Sequence, residues 1–240
     1  MNTVKFKNKG NIKMIAHRGV SGIERENTCP AFVTAGVKSY YGIETDIHVT
    51  LDGKYILIHD DDLKRVAGLH MGVETVNFED LRAVRMTDID GVTKREDIFL
   101  PTPEEYLSIC KKYEKEAVLE LKNNMTSEHV IEIANIVKKA EMFSSTTFIS
   151  FSKTNLIYLR VAYPDAKAQF LTTKLNDENI SFMLENKLDA DIHWKALTKD
   201  FVNMMHENER VVNCWTVDSL AAAESLRDMG VDMITSNILE

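Results

Sequence analysis

Residues 117–150 read AVLELKNNMTSEHVIEIANIVKKAEMFSSTTFIS. The stretch opens on the apolar run 117–121 and closes on a second at 147–150, each short enough for a strand and too short for a helix. Between them the spacing predicts a helix near 127–140, with Ser127 at its cap. A strand, a capped helix and another strand make a βαβ unit, whose strands lie parallel. The unit recurs toward the C-terminus. Strands are expected at 167–171, 188–192, 211–215 and 232–235, and helices near 153–162, 176–185, 198–208 and 219–229. Ser152, Thr198 and Asp218 stand where caps belong, and Gly230 where a helix stops. Toward the N-terminus lie a first strand at 12–16 and a helix from about Pro30, capped by Thr28 or Asn27. A second strand begins at Ile43, and Thr102-Pro103-Glu104-Glu105 is a capping box opening a helix to about Tyr113. Eight parallel strands alternating with helices predict a (β/α)8 TIM barrel, and 240 residues without repeat or linker predict one domain over 1–240.

The second strand carries the chemistry. Two β-branched runs flank Asp52-Gly53 within 43–60, a strong hairpin signal. With those two residues as the turn, Leu51 faces Lys54 and Asp46 lies opposite His59. Side chains alternate along a strand, so Glu44, Asp46 and His48 share a face that His59 joins. Burying charges costs several kcal/mol unless they are paired or bind a metal, so the convergence marks a site. Residues 61–100 lose the rhythm: they are polar, with one short helical piece near 78–84. They form a small insertion after the second strand, expected on the barrel mouth.

The net charge of −8 excludes a nucleic-acid backbone as partner and accommodates a divalent cation. No apolar run approaches the ~18 residues of a membrane span, and the Lys-rich first twelve residues hold no signal-peptide core. Cys29, Cys110 and Cys214 form no pair at metal or disulfide spacing. They read as reduced thiols of a cytoplasmic protein.

Barrels of this type place their chemistry at the C-terminal ends of the strands. Those ends deliver His17 and Arg18; Glu44, Asp46 and His59; Glu120 and Lys122; Ser150 and Ser152; Trp215; and Thr235 with Ser236. Glu44, Asp46 and Glu120 form an oxygen donor set for Ca²⁺ or Mg²⁺ rather than zinc. Arg18 and Lys122 suit a phosphate, the first through its planar fork and the second as a point charge. His17 and His59 suit an acid and a base near neutrality. His48 is expected to be lifted from the site, solvated or packed, and His70, His129 and His206 to lie on the surface. His193 sits past strand six without an assigned role, and Phe151 is expected to pack. The charge run 111–116 reads as a solvated helix end.

The ordered set His17-Arg18-Gly19, Glu26-Asn27-Thr28, Glu44-x-Asp46, His59-Asp60, Glu120-x-Lys122 and Trp215-Thr216-Val217 resembles the glycerophosphodiester phosphodiesterase family. The likeness runs from about residue 12 to 236 and includes an insertion after His59-Asp60. It implies hydrolysis of glycerophosphodiesters to glycerol 3-phosphate and an alcohol. It implies a divalent metal on Glu44, Asp46 and Glu120, His17 and His59 as acid and base, and phosphate held by Arg18 and Lys122. It also turns Trp215 into an apolar wall for the substrate. A homodimer is compatible with it. The chain departs from the family pattern at Arg25, where Pro is frequent, and at Thr235-Ser236-Asn237-Ile238, where Thr-Asp-x-Pro is frequent. Two alternatives use the same scaffold: a lysophospholipase D-like phosphodiesterase, and a non-catalytic glycerophosphodiester-binding protein. The first needs an apolar lip that the polar insertion does not supply; the second needs the loss of a histidine or metal carboxylate, and all are present.

Overall fold

A computed structural model describes residues 2–240. The strands are β1 (Lys13–Ala16), β2 (Gly42–Val49), β3 (Tyr55–Leu57), β4 (Glu116–Leu121), β5 (Thr146–Ser150), β6 (Lys167–Thr172), β7 (Asp189–His193), β8 (Val212–Trp215) and β9 (Met233–Ser236). Their order is β1-β9-β8-β7-β6-β5-β4-β2, and pairing of β1 with β2 closes the ring. Eight parallel strands thus form the barrel, and β3 is an antiparallel arm on β2. Helices α1 (Cys29–Gly36), α4 (Pro103–Lys112), α5 (Ser127–Lys139), α6 (Lys153–Ala162), α7 (Asp177–Glu185), α8 (Lys199–Glu207) and α9 (Leu220–Met229) run between the strands; α2 (Lys64–Ala67) and α3 (Phe78–Ala83) belong to the insertion.

The local chemistry explains these boundaries. Thr28 caps α1, and Thr102 and Glu105 close the capping box of α4. Ser152 and Thr198 cap α6 and α8, while Gly230 ends α9 in the left-handed region. Two caps lie one residue from expectation. Thr126, not Ser127, caps α5, and α9 starts after Ser219 without a side-chain cap. Asp218, expected as that cap, is engaged elsewhere, as described below. The apolar faces of β-strands and helices share one large core, and Ile15, Val118, Ile149, Leu171 and Met233 fill the barrel interior.

The hairpin is present in a different register. Ile47 opposes Leu57, His48 opposes Ile56 and Val49 opposes Tyr55. Thr50 N donates to Lys54 O at 2.8 Å and Gly53 N to Thr50 O at 2.9 Å, with Gly53 at φ 73°. The loop therefore has three residues, Leu51-Asp52-Gly53, closed by a left-handed glycine, the next commonest hairpin after the two-residue turn. Asp52 is held out of a tighter turn because its Oδ1 accepts from Thr50 Oγ1 and from Phe78 N at the start of α3. Ile58 N, not His59, bonds to Asp46 O, and His59 approaches the site from the loop beyond β3.

The insertion is more ordered than its polarity predicts. Besides α3 it holds α2 and a short turn at 73–75, and Leu63, Val66, Val73, Leu81, Ile98 and Leu100 pack with Ile56 and Ile58 in a core of their own. The charge run 111–116 is only partly solvated. Lys115 Nζ donates to the carbonyls of Lys38 and Tyr40, and Glu116 is buried at the start of β4 against Thr147 and Lys167.

Candidate active site

The His17-Arg18-Gly19 turn follows β1 and folds across the end of β2. Arg18 stands at φ 52° and Gly19 at φ 75°. Any Cβ at Gly19 would lie 2.6 Å from the backbone of Ala31, so only glycine fits. The turn aims Arg18 N at Glu44 Oε2 (2.8 Å) and brings Gly19 N to Glu44 O (3.2 Å). Asn27, also left-handed, donates its amide to Asp46 Oδ2 at 2.8 Å and accepts from Thr45 Oγ1 at 2.6 Å. The Glu26-Asn27-Thr28 segment thereby orients a carboxylate and caps α1 at once.

Glu44, Asp46 and Glu120 each offer a carboxylate oxygen within 4.8 Å of the others, and all three are buried. Asp46 Oδ1 is buried without a hydrogen-bond partner. An orphaned carboxylate oxygen in an all-oxygen cluster fits a hard divalent cation and gives zinc no soft ligand. Lys122 Nζ lies 3.1 Å from Glu120 Oε1 and 3.6 Å from Asp46 Oδ1. The three acids diverge in acidity. Burial, then the Asp46 charge, raises Glu44 well above the carboxylate range, and the same two causes push Glu120 up to about 8 despite Lys122. For Asp46 burial is outweighed by Arg18, Lys122 and His59, which hold it well below that range. Close carboxylates cannot all ionise, and burial favours the protonated forms of Glu44 and Glu120.

Arg18 Nη1 bonds Glu26 Oε1 at 2.8 Å and its Nε sits 3.5 Å from Asp46 Oδ2, buried and without a hydrogen bond. His17 Nδ1 meets Asn237 Oδ1 at 2.7 Å, and its Nε2 lies 4.0 Å from Glu44 Oε2. Burial and then Arg18 lower the His17 pKa to about 4. His59 Nδ1 meets Asp60 Oδ1 at 2.8 Å, and burial lowers its pKa although the Asp46 charge opposes this. Arg65 bonds both Asp60 and Glu26, tying the His59 loop to the carboxylate that holds Arg18.

His17, Arg18, Glu44, His59, Glu120 and Trp215 line one pocket at the barrel mouth, together with Phe151 and Asp191. Asp46 and Lys122 adjoin it through the contacts above. Phe151 corrects its expected packing role: it is 47% exposed and stands edge-on to Trp215 at 5.6 Å, and His193 also meets Trp215 edge-on at 5.3 Å. His48 is fully buried, not solvated, and its ring nitrogens face Glu74 Oε1 (3.0 Å) and His59 O (3.4 Å). His206 lies on the surface as expected, bonded to Asp232, and His129 is half-buried on the Tyr55 hydroxyl.

The Glycerophosphoryl diester phosphodiesterase family model matches residues 17–240. The chain belongs to this family. A glycerophosphodiester phosphodiesterase of Bacillus altitudinis is 25% identical over 92% of the chain and 93% of its own length. A lysophospholipase D of Mus musculus is 39% identical over 70 residues, covering 29% of the chain and 21% of that enzyme. Among solved structures, an Oleispira antarctica phosphodiesterase in complex with the product sn-glycerol-3-phosphate superposes with a TM-score of 0.85 at 20% identity, covering 94% and 93% of the two chains.

As a glycerophosphoryl diester phosphodiesterase family member, the chain carries site residues beyond those singled out from its sequence. Asp60, Glu26 and Asn27 were visible as motif letters; Asp60 finds its partners locally in His59 and Arg65, whereas Glu26 and Asn27 reach Arg65, Asp46 and Thr45 only through the fold. Asp191 is fully buried on β7 with Oδ1 unpartnered, and burial raises its pKa to about 8. One signal for it was an acid in the middle of an apolar strand, the same signal that exposed Glu44. The departures from the family pattern are structural anchors. Arg25 donates to Thr87 O (2.6 Å) and to Asp88 O, docking the insertion on the β1–α1 loop.

Proposed function

We propose that the chain is one catalytic domain that hydrolyses glycerophosphodiesters to glycerol 3-phosphate and an alcohol. The observation that carries this reading is the meeting of two imidazoles, a guanidinium and buried carboxylates in one pocket at the C-terminal mouth of the barrel. Arg18 and Lys122 bind the phosphodiester oxygens, Arg18 through its free Nε–H and Lys122 as a point charge. Glu44, Asp46 and Glu120 would hold a divalent cation, Ca²⁺ or Mg²⁺, which would supply positive charge to offset that of the phosphodiester.

His17 and His59 move the protons. One imidazole takes the proton of the attacking oxygen as its bond to phosphorus forms, and the other protonates the departing alkoxide as its bond breaks. The attacking oxygen belongs to water or, through a cyclic phosphate, to the neighbouring glycerol hydroxyl; both routes need one acid and one base. Trp215, with Phe151 edge-on, lines the substrate's carbon skeleton and keeps water from that side.

The local likeness to a lysophospholipase D supports a second reading, in which the same chemistry acts on a lysophospholipid. One assay separates them. Purified protein is incubated with glycerophosphocholine or with lysophosphatidylcholine, before and after chelation, and with Mg²⁺ or Ca²⁺ restored. Release of glycerol 3-phosphate that stops with chelator and returns with metal is expected. Turnover of the lysophospholipid alone selects the second reading, and full activity in excess chelator overturns the metal's role.

A further inference from the structure

His17 Nδ1 lies 2.7 Å from the side-chain amide of Asn237, which sits in the C-terminal segment where the chain departs from its family's ending. The identity of the amide atoms is fixed by their other neighbours. Asn237 Nδ2 faces Asp218 Oδ2 at 2.6 Å, a carboxylate oxygen that can only accept. Turning the amide over would set two oxygens against each other at that distance. Asp218 cannot retreat, because its Oδ1 accepts from Ser236 Oγ (2.9 Å) and from Asn237 N (2.8 Å). Asn237 is anchored from the other side as well, its carbonyl accepting from Gly22 N at 2.9 Å.

Asn237 Oδ1 therefore points at Ser21 Oγ (2.6 Å) and His17 Nδ1 (2.7 Å), and both must donate. The serine hydroxyl can rotate; the imidazole cannot. We infer that Asn237, locked by Asp218, holds the proton of neutral His17 on Nδ1 and leaves the Nε2 lone pair facing the site. Asp218 and Asn237 belong neither to the carboxylate cluster nor to the pocket lining, and Asn237 meets the pocket through its bond to His17, so they are positioning residues acting through that histidine. The inference deepens the proposed function by defining which nitrogen of His17 exchanges protons with substrate, and it rests on that reading for its effect on rate.

Two measurements on the full-length protein test it separately. The imidazole nitrogen chemical shifts of His17, assigned against His17→Gln, report its tautomer without reference to activity. The Nδ1–H form is expected in the wild type, and a mixture of tautomers in Asn237→Leu, which keeps the side chain's shape and removes the acceptor. Activity supplies the second readout. Asn237→Leu is expected to lower kcat by about 10–100-fold with little change in KM, the scale on which the outer partners that orient metal-bound histidines act. Asn237→Asp places two carboxylates together and is expected to be impaired. The exchange Asn237→Asp with Asp218→Asn restores one donor and one acceptor between them and is expected to recover kcat to within a few-fold of wild type. An Nε2–H tautomer in the wild type, an unchanged tautomer in Asn237→Leu, or an exchange variant as poor as Asn237→Asp overturns the inference. Full activity in His17→Ala with the tautomer as expected would instead overturn the catalytic role given to His17.

Discussion

At the scale of single residues, charge and shape at the barrel mouth can be tested separately. Glu44→Gln keeps the side chain's volume and replaces a carboxyl group of the cluster with an amide that cannot ionise. It is expected to weaken divalent-metal binding in calorimetry and to lower activity in parallel, with an unchanged circular dichroism spectrum; undiminished metal affinity would remove Glu44 from the donor set. Arg18→Lys keeps the charge and loses the planar fork. A lost charge-assisted hydrogen bond is worth about 1.5–3 kcal/mol, so kcat/KM is expected to fall by on the order of 10–100-fold. Wild-type kcat/KM in that variant would show that Arg18 acts only as a point charge. Much of this was legible in the sequence because charged residues on apolar strands are costly and therefore conspicuous. Asn27, Asp60 and Asn237 were less so. Asn27 and Asn237 are loop residues whose partners, Asp46 and His17, only the closed barrel brings near, while Asp60 adjoins His59 in the chain and is turned onto it by the fold of that loop and by Arg65.

At the scale of elements, the helices and barrel strands follow from periodicity and capping, both of which are local. The hairpin register does not. Asp-Gly signals a tight turn, but Asp52 is recruited by Phe78 N of the insertion and the loop opens to three residues. A slip of one residue turns every later side chain over, yet His59 still reaches the pocket because it lies past the end of β3. The insertion's order was hidden for a related reason: its apolar residues are spaced irregularly and find one another only in three dimensions. The β1–α1 turn offers the sharpest test at this scale. Gly19→Ala forces a Cβ into the backbone of Ala31 at a positive φ. It is expected to destabilise the fold by about 1–3 kcal/mol and to displace Arg18, seen as a lower denaturation midpoint together with lost activity. A variant of native stability and activity would show that the turn tolerates a side chain.

At the scale of the whole molecule, the buried titrating groups set a pH profile for stability. Glu120 and Asp191 have folded pKa values raised to about 8, so the folded chain binds protons that the unfolded chain has released above about pH 4. Stability therefore falls as pH rises from there to about 8. His17, depressed to about 4, acts in the opposite sense between 4 and its ordinary value near 6.5. Below pH 4, protonation of Asp46 and of Glu26, which Arg65 and Arg18 hold at about 2 against burial, removes stability again. A cation held by the proposed donor set would take the place of the protons on Glu44 and Glu120 and leave Asp191 as it is. The rise in Tm on adding metal is accordingly expected to be larger at pH 8 than at pH 6, and Asp191→Asn is expected to flatten the metal-free decline; an equal metal effect at both pH values would contradict the proton displacement.

The proposed division of proton transfers between His17 and His59 is tested by leaving-group dependence. kcat/KM is measured for His17→Ala and His59→Ala on a diester with a poor alcohol leaving group and on one whose leaving group is already acidic. Each variant is expected to lose on the order of 10²–10⁴ on the poor leaving group. An acidic leaving group departs without a proton, so one variant, the one lacking the general acid, is expected to recover selectively while the other stays impaired. Equal impairment of both variants on both substrates would contradict the account and leave the two imidazoles with a positioning role alone.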